Sequence, residues 1–113
     1  MSTQRGDVVV IDFPKLGEAH RKIRPAVVVS NNIANRYSST VSVVLITEWN
    51  EKQAALPICV ELPKGTAGAT KRSVIDCGQI HTIDKSHIRE AAATVPFALR
   101  QRIDDALRLH LAL

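Results

Sequence analysis

The sequence is short of aromatic side chains, cysteine and long apolar runs, and each shortage removes a class of protein. Its only aromatics are Phe13, Tyr37, Trp49 and Phe97, so a ligand held by stacking has few partners to choose from. The two cysteines, Cys59 and Cys77, lie in ICVEL and VIDCG among aliphatic and β-branched neighbours. That setting reads as small buried hydrophobes rather than a disulfide framework. Two Cys and four scattered His offer no zinc-ligand spacing, so any chemistry is expected to run with no metal and no cofactor. No stretch is apolar enough for long enough to cross a bilayer, and none resembles a secretion signal, which makes a cytoplasmic protein without membrane association the expectation. The tripeptide RGD at 5–7 belongs to adhesion ligands only on an exposed extracellular loop. Here it runs straight into VVVIDF and reads as a strand opening, with Gly6 supplying a turn or bulge.

What is present suffices for one compact domain, residues 1–113, with 45% hydrophobic content to build its core. The net charge is +4 and unevenly placed. Lys15, His20, Arg21, Lys22 and Arg24 face only Glu18 nearby, and Lys64, Lys71 and Arg72 form a second group with no acid between them. Both groups read as loops beside apolar strands, which fits either a solvated surface or a polyanion partner.

Short runs rich in Val and Ile, bounded by Pro, Gly, Asn or Ser, predict strands at 6–13, 25–30, 40–47, 57–62, 73–81 and 87–94. Stretches such as VVV and VVLI are apolar without alternation, so both faces of those strands are expected to be covered, in a small closed barrel or by a helix or partner. Asn31, Asn32 and Asn35 predict a turn or short helical piece after the second strand. At 96–113 the period changes: Leu99, Ile103, Ala106, Leu107 and Leu111 fall at helical spacing, with Thr94 as a cap and Pro96 in the first turn. The fold class is therefore mainly β, a small barrel closed by a C-terminal α-helix, and excess apolar width on that helix would favour a dimer.

Within this frame KIRPAVVV raises a question of chemistry. Arg24 precedes Pro25 and a buried-looking strand, so it is either a surface charge at a strand edge or a rigidly held guanidinium able to grip two phosphate oxygens.

The order RGDVVVIDFP, a basic Gly-containing loop, IRPAVVVSNNIANR, VSVVLIT, LPICVELP, SVIDCGQIHTIDKSHI and a closing helix resembles the MazF/PemK toxins of bacterial toxin-antitoxin pairs over essentially the whole chain. The resemblance implies an SH3-like barrel, a homodimer, and sequence-specific, metal-independent cleavage of single-stranded RNA restrained by an antitoxin with an acidic tail. It implies catalytic roles for Arg24 and Thr47. His20, an imidazole in the same basic loop, is the favoured proton-transfer group, and Glu18, Lys22, Asn31, Gln79 and His81 are expected to contact RNA. Trp49, just after Thr47, could stack a base or cover the end of the barrel.

Two departures stand out. GEAHRKIRP puts Ala19 and His20 where relatives carry Glu and Gln, and an acidic position of some relatives falls on Gly78. Asp76 lies two residues earlier, which along a strand is a shift of about 7 Å. Two other readings stay open: a toxin of this fold acting on a protein such as DNA gyrase, and a barrel that binds RNA without cutting it.

Overall fold

The computed structural model describes residues 3–13 and 22–113. Among these residues six strands, three α-helices and one 3-10 turn follow in order: β1 (Asp7–Phe13), β2 (Lys22–Val28), α1 (Asn32–Tyr37), β3 (Thr40–Glu48), α2 (Glu51–Ala54), β4 (Cys59–Leu62), β5 (Ser73–Asp84), the 3-10 turn Lys85–His87, β6 (Ile88–Thr94) and α3 (Phe97–Leu111). The strands form one sheet of order β4-β5-β3-β2-β1-β6, and every pairing is antiparallel. The barrel is an open one, with β4 and β6 as its edges and no pair joining them among the described residues. Register shifts in β1–β6 and in β3–β5 bend the sheet, since an extra unpaired residue kinks its strand and increases the local twist.

Alternation within the valine runs explains why they are apolar throughout. Val8, Val27, Val44 and Ile46 join Val60, Leu62, Ile75 and Cys77 in one core, completed by Leu99, Ile103, Ala106 and Leu107 of α3. The intervening residues Val9, Ile11, Ala26, Val28, Val41 and Val43 form a second core on the opposite face with Ile83. Successive strand side chains point to opposite faces, so a strand covered on both sides needs apolar residues at every position. Each fully buried Val, Leu or Ile contributes roughly 1.5–3 kcal/mol.

The helix expectations hold with two changes. Asn31 caps α1 by accepting the Ala34 N–H at 2.8 Å. The cap position of α3, however, is Pro96 rather than Thr94, with no side-chain hydrogen bond. Leu111, expected on the apolar face, is exposed at the end of that helix. The RGD segment does serve as a strand opening. Gly6 takes φ +92°, its N–H donates to Val28 O and its carbonyl accepts from Val95 N. Arg5 is consumed by the fold, donating to Val29 O at 2.7 Å and to Asp104 Oδ1 of α3 at 2.6 Å.

Candidate functional site

Pairing carries the two expected catalytic residues on neighbouring strands. β2 and β3 pair Ala26 with Leu45, Val27 with Val44 and Val28 with Val43; Arg24 and Thr47 each lie two residues beyond the Ala26–Leu45 pair, at the same end of the ladder. On its other side Thr47 pairs with Val74 of β5, and Arg24 pairs with Ile11 of β1. The strand predicted to begin at Pro25 begins at Lys22, so Arg24 lies within the sheet rather than before it. Its backbone is thereby fixed on the β1 side, and the half-buried side chain has no ion-pair or hydrogen-bond partner among the described residues. A guanidinium held this way loses little freedom on binding an anion.

Beneath Thr47 runs a polar chain that sequence reasoning did not foresee. The Thr47 hydroxyl lies 3.5 Å from both Gln53 Oε1 and Val74 O. Gln53 sits on α2, a single turn capped by Asn50, whose side chain accepts from Lys52 N and Gln53 N. Gln53 Nε2 donates to Asp76 Oδ2 at 3.4 Å. The other oxygen of Asp76 accepts from Gly78 N at 3.0 Å and from the Cys59 thiol at 3.7 Å. Burial, then the charge and hydrogen bond of Asp76, push the Cys59 thiol up, so it remains a protonated donor. The only sequence signal was the unusual pair Asp76 and Gly78. A Cβ at position 78 would lie 2.5 Å from Ile58 Cδ1 and 3.2 Å from Asp76 Oδ1. The Ile58 methyl and the Asp76 carboxylate thus occupy the space a side chain at 78 would take, the carboxylate reaching forward despite the two-residue offset.

Of the remaining expected residues, Gln79, His81 and Asn31 lie within the described part of the chain. Gln79 is exposed on β5, and His81, opposite Val43, is half-buried. Asn31 follows the far end of β2, roughly 20 Å from Arg24 at the rise of an extended chain, and its side-chain oxygen is committed to capping α1. It lines a groove of about 600 Å³ with Arg5, Ser30, Ile80 and Leu111, so one chain by itself does not bring Asn31 to Arg24 and Thr47. His20 and Glu18 lie outside the described residues. The backbone of Lys22 opens β2 opposite Phe13, and its side chain lies outside them too.

Two of the three cations in the second basic group, Lys71 and Arg72, are paired with acids. Lys71 pairs with Glu48 at 2.9 Å, which holds the Glu48 carboxyl below its usual range. Arg72 pairs with Glu61 and lies over the Trp49 ring, 4.0 Å from its centroid. The acids come from β3 and β4 and are distant in sequence, which is why the cluster looked unpaired. Among the described residues no group of three or more His, Cys, Asp or Glu is placed to hold a metal ion, and no helix is long and apolar enough to cross a membrane.

The family model described as PemK-like, MazF-like toxin of type II toxin-antitoxin system matches residues 4–111. Endoribonuclease EndoA of Bacillus subtilis (strain 168) is 37% identical over 114 residues, covering 100% of this chain and 97% of its own. Endoribonuclease MazF of Staphylococcus epidermidis is 36% identical over 111 residues, covering 97% of this chain and 92% of its own. Among solved structures, an endoribonuclease in complex with its cognate antitoxin from a mycobacterial species superposes with a TM-score of 0.81 at 24% identity, covering 99% of this chain and 97% of that one.

Proposed function

This chain belongs to the PemK-like, MazF-like toxins of type II toxin-antitoxin systems and acts as an endoribonuclease; we propose that it cuts single-stranded RNA in the cytoplasm at a site centred on Arg24 and Thr47. The observation that supports this reading is that Arg24 and Thr47 lie on neighbouring strands, each two residues beyond the Ala26–Leu45 pair and so at the same end of that ladder. In this mechanism the 2'-hydroxyl attacks the adjacent phosphorus, forming the 2'-O–P bond as the P–O5' bond breaks. The attacking oxygen gives up a proton to a base, and the leaving 5'-oxygen takes one from an acid. Charge accumulates on the non-bridging oxygens of the phosphorane-like transition state. Arg24 stabilises it with a planar pair of donors, and the Thr47 hydroxyl adds a hydrogen bond. His20, four residues before Arg24 in the chain, is the proposed proton-transfer group. Glu18, Lys22, Gln79 and His81 are the proposed RNA contacts, and Asn31 reaches the substrate only from a second copy in a homodimer. The partner that silences the site is a cognate antitoxin whose acidic tail competes with RNA for the same cations.

The test is cleavage of a long single-stranded RNA in excess EDTA by the protein and by Arg24→Ala and Thr47→Ala. Cuts at one short word, ending in 2',3'-cyclic or 3' phosphate, are expected. Loss of one such stabilising donor should slow turnover about 100-fold or more. RNA left intact by a folded protein would sink the enzyme reading and leave a barrel that binds RNA or acts on a protein target.

A further inference from the structure

Beyond the last β3–β5 pair, Glu48 with Ser73, the two strands lead into Trp49 and Arg72, one residue further along each. The Arg72 guanidinium carbon lies over the indole, 4.0 Å from the ring centroid. Glu61 of β4, opposite Val74, binds the guanidinium edge through both Nε and Nη2. One face and one edge of Arg72 are thus committed, while its side chain is still 55% exposed. The indole Nε1 is shut away from solvent with no partner among the described residues, so Trp49 is held by packing and by Arg72 rather than by its own donor. The product is a flat ledge, pinned beneath and at its rim, two residues beyond Thr47 along β3.

We propose that the outer face of the Arg72 guanidinium, backed by Trp49, is a stacking subsite for one unpaired nucleobase of the RNA substrate. The inference deepens the ribonuclease reading and rests on it. Charge argues for a base rather than a phosphate. Lys71 is matched by Glu48 and Arg72 by Glu61, so the patch carries no net charge and a phosphate would have to displace a carboxylate. A base needs only the open face. Guanidinium is weakly hydrated and planar and stacks on aromatic rings, and unpaired bases of single-stranded RNA are held on such planes. In a chain with four aromatics, putting the one tryptophan under an arginine extends a stacking surface to the solvent side of the sheet end that carries Thr47. The subsite tolerates any base and positions the strand, leaving word recognition to groups that read base edges.

Trp49 is the only tryptophan, so its fluorescence reports on the ledge directly. The experiment titrates the full chain with single-stranded RNA homopolymers, and with the cleaved word carrying a 2'-deoxy sugar at the cut and an abasic site walked along it. Wild type is compared with Arg72→Lys, which keeps the charge and loses the plane, and with Arg72→Ala. A saturable change in Trp49 emission is expected. One abasic position and Arg72→Lys should each weaken binding about tenfold, with no further loss when the two are combined. Arg72→Ala should leave the salt dependence unchanged, because a lost phosphate contact would reduce the slope by about 0.7. That reduction, or equal loss from Arg72→Lys at every abasic position, would overturn the proposal. Cleavage by the wild type with no abasic position coupled to Arg72 overturns the ledge and leaves the ribonuclease standing. Neither cleavage nor any emission response to the homopolymers sinks both.

Discussion

The Thr47 hydroxyl touches two acceptors at 3.5 Å, Gln53 Oε1 and Val74 O, both at the outer limit of a hydrogen bond. It is therefore oriented without being held tightly, and can turn toward a ligand at small cost. The orientation depends on Asp76, which takes the amide nitrogen of Gln53 and leaves the oxygen facing Thr47. Removing this support by Gln53→Ala should lower kcat several-fold with little change in KM. The same change in a Thr47→Ala background should do nothing further, because residues acting through one group are not additive. Equal losses in both backgrounds, from single-turnover cleavage rates, would make Gln53 an independent contributor. At this scale the sequence exposed Arg24 and Thr47 through their place beside apolar strands and the family resemblance. It hid Gln53, since an amide in a polar turn looks like any other surface residue.

At the scale of the element, β5 is the strand whose sequence departs from its pattern for a packing reason. Position 78 has Ile58 Cδ1 where a Cβ would go, at 2.5 Å, closer than atoms pack. Gly78→Ala should therefore cost at most about 1 kcal/mol of stability, because Cδ1 ends a flexible, half-buried side chain that can turn aside. Ile58→Val, which deletes the Cδ1 methyl, should recover most of that loss in the double variant. Urea denaturation of the three proteins checks it, and full additivity of the two changes would show that the two side chains do not compete for space. Helix α2 was not foreseen, because EKQA is too short to show a period and its cap, Asn50, resembles ordinary turn chemistry. By contrast α3 was legible because its buried Leu99, Ile103, Ala106 and Leu107 repeat over several turns, and α1 because Asn31 marks its start.

For the whole molecule, the two cores on opposite faces of the sheet set a dependence on pH. Burial first, then the charges of Cys59, Asp76 and Asp104, push the Cys77 thiol from a usual 9.0 up to about 12. In alkali the unfolded chain loses this proton first, while the folded chain keeps it. Cys77 therefore contributes stability fully below about pH 9, and that contribution declines between about 9 and about 12. Denaturation midpoints should fall across that window and fall less in Cys77→Ala, once the fixed cost of the smaller side chain is subtracted. An identical pH slope in the variant would assign the alkaline loss to other groups. The same burial keeps the thiol unreactive toward alkylating reagents at pH 8 until the chain unfolds.

The sequence alone determined the β-rich class, the closing helix, the buried cysteines and the candidates Arg24 and Thr47. Apolar periodicity, turn residues and motif order are properties of neighbours along the chain, and these features depend on nothing else. Only the tertiary structure decided that β2 and β3 are neighbours with Arg24 and Thr47 at the same end of their ladder, that Asp76 turns its carboxylate toward Gly78, and that Lys71 and Arg72 are matched by Glu48 and Glu61. Each of these joins residues on different strands or bends a side chain across a gap. Strand register and side-chain reach set such meetings, and both come into being only when the sheet assembles.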